Sequence, residues 1–175
     1  LIDKKTCLID LVKYHMDFME KQSCGKCIPC REGTRRMSEI LGSITRKPVD
    51  ENGHATLERF KGVMQLEGLA DVMKDTSLCG LGKTAPNPIL STLSYFRNEF
   101  EEHIFDRNCP ANVCTELRTY AIDVDLCTGC SVCAKKCPVN AIFGTPKHPY
   151  FIVHEKCIGC GICYDSCKFS AISFS

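Results

Sequence analysis

The sequence predicts an α+β chain: a four-helix bundle over residues 1–105, a linker at 106–118 and a small α+β domain over 119–175. Two observations predict it. Apolar residues recur at helical spacing through the first hundred positions, and a cysteine-rich repeat with a thirty-residue offset fills the end of the chain. A third observation sets the chemistry. Fifteen of the 175 residues are cysteine, a content that by itself marks a disulfide scaffold or a metal protein. The charge is ordinary, with 22 Lys and Arg against 21 Asp and Glu, so neither nucleic acid nor an anionic membrane is an expected partner. No apolar run approaches the ~18 residues of a membrane span, and no secretory signal pattern opens the sequence. The expected compartment is therefore cytoplasmic.

Each helix has its own pattern. Leu8, Val12, Met16 and Met19 mark the first, with Leu11 and Phe18 beside them. Met37, Ile40, Leu41 and Ile44 mark the second. Leu57, Phe60, Met64, Leu69 and Met73 mark the third, with a bend expected near Gly68. Ile89, Leu93, Phe96, Phe100 and Ile104 mark the fourth, with Asn87 as cap and Pro88 at its first position. A loop over residues 47–54 separates the second helix from the third. Short amphipathic helices with short joints suit a bundle.

The cysteines are arranged for metal. Their number is odd, and eleven of the fifteen sit in three runs with two-residue gaps. Such neighbours hold one metal centre well and reach distant disulfide partners poorly. The repeat is the clearest case. Cys127, Cys130, Cys133 and Cys137-Pro138 are followed thirty residues later by Cys157, Cys160, Cys163 and Cys167-Lys168. This is the C-x2-C-x2-C-x3-C run of a bacterial two-cluster ferredoxin, written twice. Three thiolates in a short loop wrap one 4Fe–4S cubane, and the fourth cysteine reaches the other cluster. Cys127, Cys130, Cys133 and Cys167 are thus expected on one cluster, and Cys137, Cys157, Cys160 and Cys163 on the second. Gly129 and Gly159 let the backbone approach. Residues 119–124 and 150–153 read as the strand before each loop. Zinc ribbons, the competing reading, use separated cysteine pairs.

Between the first two helices, Cys24, Cys27 and Cys30 can cap three irons of a further cubane. Its fourth ligand is open among Cys7, Cys79, Cys109 and Cys114, with Cys79 in the best local context, a turn between two helices. Here a resemblance becomes specific. Residues 23–33, Ser-Cys-Gly-Lys-Cys-Ile-Pro-Cys-Arg-Glu-Gly, and 77–88, Ser-Leu-Cys-Gly-Leu-Gly-Lys-Thr-Ala-Pro-Asn-Pro, resemble the C-terminal bundle of the NADH-oxidising flavoprotein subunit of respiratory complex I. They are also similar to its relatives in NAD-linked, multi-subunit FeFe hydrogenases and formate dehydrogenases. The resemblance implies that Cys79 is the fourth ligand and that electrons reach this cluster from FMN, which takes them from NADH. A ferredoxin domain after the bundle is similar to the hydrogenase branch, which includes electron-bifurcating enzymes. That branch implies a catalytic hydrogenase subunit, a small 2Fe–2S subunit and soluble ferredoxin as partners. The family's Gly-rich FMN and NAD domain precedes the bundle. No such motif occurs here, so the chain is expected to be the C-terminal part of a longer subunit, with no flavin or nucleotide site and no catalytic residue of its own.

Cys7, Cys109 and Cys114 remain. His103 stands near the last two, and a bundle can bring the start of its first helix to the end of its fourth. Cys7, His103, Cys109 and Cys114 would then form a closed Cys3His structural zinc site at the root of the linker. His15, His54, His148 and His154 read as solvated or loop residues. Glu101/Glu102, Arg35/Arg36 and Lys135/Lys136 read as solvated faces. The expected function is a relay of single electrons through three 4Fe–4S clusters in an NAD-dependent oxidoreductase complex, with the ferredoxin domain hinged at 106–118. The rival is a zinc-organised interaction module without redox chemistry.

Overall fold

The computed structural model describes residues 3, 5–46 and 53–174. The chain divides into two compact units, residues 1–114 and 115–175. Segment 106–118 is therefore shared between them. In the described residues no helix is long and apolar enough to cross a membrane.

The first unit is helical. α1 (Leu8–Gln22), α2 (Ile28–Thr45) and α3 (Gly53–Thr76) are long, and α4 (Gly80–Thr84), α5 (Asn87–Tyr95) and α6 (Arg97–Glu101) are short. α1 starts where Cys7 adopts extended backbone and its sulfur accepts the Asp10 N–H. α2 starts at Cys27, with Pro29 in its first turn, where the missing N–H costs nothing. Ile9, Met16, Met37, Leu41, Leu66 and Met73 are fully buried, where α2 packs against α1 on one side and α3 on the other.

The structure corrects several expectations. The fourth helix is not continuous: it is α5, then α6, then a π-helical turn at Glu102–Asp106. The break falls at Phe96, whose backbone leaves the helical region (φ −131°, ψ 37°). α3 runs unbroken past Gly68. Its buried side is Val63, Leu66, Ala70 and Met73, while Leu57, Phe60 and Met64 face outward. Leu11 and Phe18 are likewise exposed. Of the loop expected at 47–54, residues 47–52 lie outside the described residues, and Gly53 and His54 already belong to α3. His15 is not a loop residue; it sits half-buried on α1 with its Nε2 enclosed.

The second unit is built from the repeat. A 3-10 turn (Thr115–Leu117) leads into β1 (Tyr120–Ile122), α7 (Val132–Lys136), β2 (Ile142–Phe143), β3 (Phe151–Ile152), α8 (Ile162–Ser166) and β4 (Ile172–Phe174). β1 pairs antiparallel with β4, Tyr120 opposite Phe174 and Ile122 opposite Ile172. β2 pairs antiparallel with β3, Ile142 opposite Ile152. Each two-stranded sheet thus takes one strand from each copy. Tyr120, Ile142, Tyr150, Ile152 and Ile172 form a small core that encloses Cys133 and Cys163.

Candidate metal centres

No disulfide joins any of the fifteen cysteines. Four groups of potential ligands emerge instead, and they differ in spacing.

The tightest is Cys7, His103, Cys109 and Cys114. All four residues are buried, and their ligand atoms lie within 4.8 Å of one another. No other such group of Cys, His or acidic ligands occurs among the described residues. Cys7 Sγ is 3.7 Å from Cys114 Sγ and 3.4 Å from His103 Nε2, and Cys114 Sγ is 3.6 Å from that nitrogen. A tetrahedron with Zn–S of about 2.3 Å and Zn–N of about 2.0 Å has S···S edges of about 3.8 Å and S···N edges of about 3.5 Å. The donor set and the edges fit one zinc ion. The imidazole is oriented for it. Nδ1–H donates to the Glu99 carbonyl at 2.8 Å, which leaves Nε2 with a lone pair facing the sulfurs. The π-turn brings His103 to this position. Glu99 acts a second time, its carboxylate accepting the Leu8 N–H at 2.8 Å and so fixing the helix start that carries Cys7.

The other groups are looser, as four thiolates would be if each bound a different iron. In the second unit a small pocket is lined by Cys127, Cys130, Cys133 and Cys167. A second is lined by Cys137, Cys157, Cys160 and Cys163. Each combines three cysteines of one copy with the fourth of the other. Burial pushes the Cys163 thiol up to about 11 and moves Cys133 the same way, so neither ionises readily without a cation. The Ala141 N–H donates to Cys137 Sγ at 3.3 Å. At Gly129, φ is +70° and a Cβ would stand 2.5 Å from the His148 backbone nitrogen, so only glycine lets the loop close against residues 147–148.

In the first unit Cys24, Cys27 and Cys30 lead into α2, and Cys79 immediately precedes α4. The two segments meet. The Leu78 N–H bonds the Cys27 thiol and, with the Cys30 N–H, holds it below the usual thiol range. The Cβ of Cys30 is 3.0 Å from where a Cβ on Gly82 would be. Ser77, 3% exposed, lies at the same spot with its hydroxyl buried and unpartnered. A buried donor without an acceptor is what a sulfur-rich group would satisfy. The residues fit a four-iron cluster.

Three supporting features were missed in the sequence: Glu99, Ser77 and the tyrosine pair. Tyr120 and Tyr150 share the thirty-residue offset of the cysteines, which was the available signal. Tyr150 Oη bonds Ser131 Oγ at 2.9 Å on the first loop, and Tyr120 Oη stands 3.0 Å from the Cβ position of Gly161 on the second.

Residues 10–103 match the NADH-ubiquinone oxidoreductase-F iron-sulfur binding region. The chain belongs to that family. Residues 126–172 match the 4Fe-4S dicluster domain. The chain is 48% identical over 150 residues to the NADP-reducing hydrogenase subunit HndC of Solidesulfovibrio fructosivorans, covering 86% of this chain and 29% of that protein. It is 40% identical to the F subunit of NADH-quinone oxidoreductase from Streptomyces coelicolor, covering 62% of this chain and 22% of the other. It is 30% identical to the alpha subunit of the NAD-reducing hydrogenase HoxS from Cupriavidus necator, covering 61% and 16%. The chain thus spans less than a third of the length of these relatives. It carries two iron–sulfur binding regions, and these relatives are subunits of hydrogenases and of NADH-quinone oxidoreductase.

Proposed function

We propose that this chain relays single electrons through three 4Fe–4S clusters inside an NAD(P)-linked, multi-subunit hydrogenase. Cys24, Cys27, Cys30 and Cys79 hold the first cluster. Cys127, Cys130, Cys133 and Cys167 hold the second, and Cys137, Cys157, Cys160 and Cys163 the third. The observation that carries the reading is the pair of small pockets in the second unit, each lined by three cysteines of one repeat and one of the other. When bound, such clusters exchange one electron without changing ligands. The chain's own contribution is to fix the thiolates, donate N–H groups to sulfur and exclude water from Cys30, Cys133 and Cys163. The hydrogenase assignment follows HndC, to which both units are similar, and makes a hydrogen-activating subunit, a 2Fe–2S subunit and a soluble ferredoxin the partners. Flavin and nicotinamide chemistry, with any electron bifurcation, belongs to the rest of such a complex.

Cys7, His103, Cys109 and Cys114 hold a structural zinc, closed to solvent and redox-silent. Metal analysis of anaerobically purified protein tests the whole reading. It predicts about twelve irons and one zinc per chain, with broad visible absorption that bleaches on reduction. A colourless, iron-free preparation overturns it.

A further inference from the structure

The cysteine best shielded from water at the first cluster is also the one served by hydroxyls. Cys30 is 4% exposed. Ser23 Oγ lies 3.4 Å from Cys30 Sγ. The Gly25 N–H donates to that same oxygen at 3.3 Å. With its oxygen already accepting, the Ser23 hydroxyl is turned to donate to the sulfur. Ser77 supplies a second hydroxyl. It is 3% exposed, has no partner within the protein, and lies with Cys30 around the Cβ position of Gly82, its Oγ 2.5 Å and the Cys30 Cβ 3.0 Å from that point. A buried, unsatisfied hydroxyl is costly, so its retention beside a metal-ligating thiolate calls for an acceptor that only the loaded site contains.

We propose that Ser23 and Ser77 are tuning residues of the bundle cluster, donating hydrogen bonds to its Cys30 thiolate and neighbouring sulfur and thereby raising its reduction potential. The inference rests on Cys24, Cys27, Cys30 and Cys79 being that cluster's ligands. The physical reason is charge. Adding an electron makes the sulfurs more negative, and a donor already aimed at them stabilises the reduced form more than the oxidised one. The buried Ser77 hydroxyl acts on this with little screening, and the half-buried Ser23 hydroxyl with more. The effect makes the bundle site a favourable first stop for an electron arriving from a weaker donor.

Potentiometric titration followed by EPR, on the full chain purified without oxygen, tests it. The bundle midpoint is the one absent from Cys79→Ser. Ser23→Ala is expected to lower that midpoint by about a tenfold change in the one-electron equilibrium, about 59 mV, and to leave the other two in place. Ser23→Thr, which keeps the hydroxyl, restores it. Ser77→Ala lowers the same midpoint, and in the metal-free chain it raises resistance to denaturant because the orphan hydroxyl is gone. Full iron content in Ser23→Ala and Ser77→Ala with all midpoints unchanged overturns the tuning role and leaves the ligand assignment standing. Full iron content in Cys79→Ser and Cys30→Ser overturns the ligand assignment, and the tuning role with it.

Discussion

The backbone carbonyl of Glu99 lies 2.8 Å from His103 Nδ1, one helical turn away, while the carboxylate of the same residue holds the Leu8 N–H at 2.8 Å. One residue thus orients two candidate ligands of the Cys3His group, His103 directly and Cys7 through the start of α1. Glu99→Ala keeps the carbonyl and removes the carboxylate. It is expected to weaken zinc binding about tenfold, the lower end of the usual effect of a supporting contact, with iron content unchanged. Competition with a chromophoric chelator reads this.

Removing a ligand is more severe. Cys109→Ser and His103→Gln should each bring zinc from about one per chain to near zero while iron stays at about twelve. Elemental analysis decides. A loss of about four irons instead would move Cys109 into a cluster.

Zinc affinity should also rise steeply with pH. In the metal-free chain Cys109 is pulled down, because Cys114 and then Cys7 donate to its thiolate. Cys114 is pushed up, first by its bond to Cys109, and Cys7 is pushed up to about 12 for the same first reason. Near neutral pH the empty site therefore holds one thiolate and two thiols. Zinc requires three thiolates, so its binding expels about two protons and its affinity climbs about 100-fold per pH unit between roughly pH 7 and 9. The chelator competition, repeated across pH, gives the slope; a slope near one would show that two thiolates pre-exist.

Two glycines of the helical unit separate packing from propensity. Gly68 has nothing within 4 Å of a Cβ, so Gly68→Ala in the middle of α3 should stabilise the chain by about 0.5–1 kcal/mol. At Gly82 a Cβ would stand 2.5 Å from Ser77 Oγ and 3.0 Å from Cys30 Cβ. Gly82→Ala must push the Cys79 and Cys30 segments apart and should lose about four irons with zinc retained. Denaturant titration and metal counts distinguish the two.

The grouping of the candidate ligands was legible because their sequence spacing is regular. The thirty-residue offset grouped the cysteines into two sets with exchanged fourth members, and each set lines one small pocket. Cys7, His103, Cys109 and Cys114 could be grouped by elimination, and they meet. What stayed hidden depends on backbone geometry or on packing. α3 carries apolar residues on both sides, Val63, Leu66, Ala70 and Met73 inward and Leu57, Phe60, Met64 and Val72 outward, so spacing alone could not say which stripe is core. The π-turn that swings His103 inward has no residue signature of its own. Glu99 contributes to His103 through a carbonyl, which any residue possesses.

The Cys7–Cys114 approach, 3.7 Å across a separation of 107 residues, has a consequence for how the helical unit would come apart. With zinc in place this contact becomes a staple across nearly the whole unit. A covalent bridge closing a loop of about 100 residues removes about 4.7 kcal/mol of freedom from the unfolded chain. A metal bridge works by the same logic with a different weakness. Thiol reductants that cut a disulfide leave it whole, whereas acid or a chelator opens it. The helical unit would then be fastened by a bond that tolerates strong reductants, the conditions under which its proposed cluster would work.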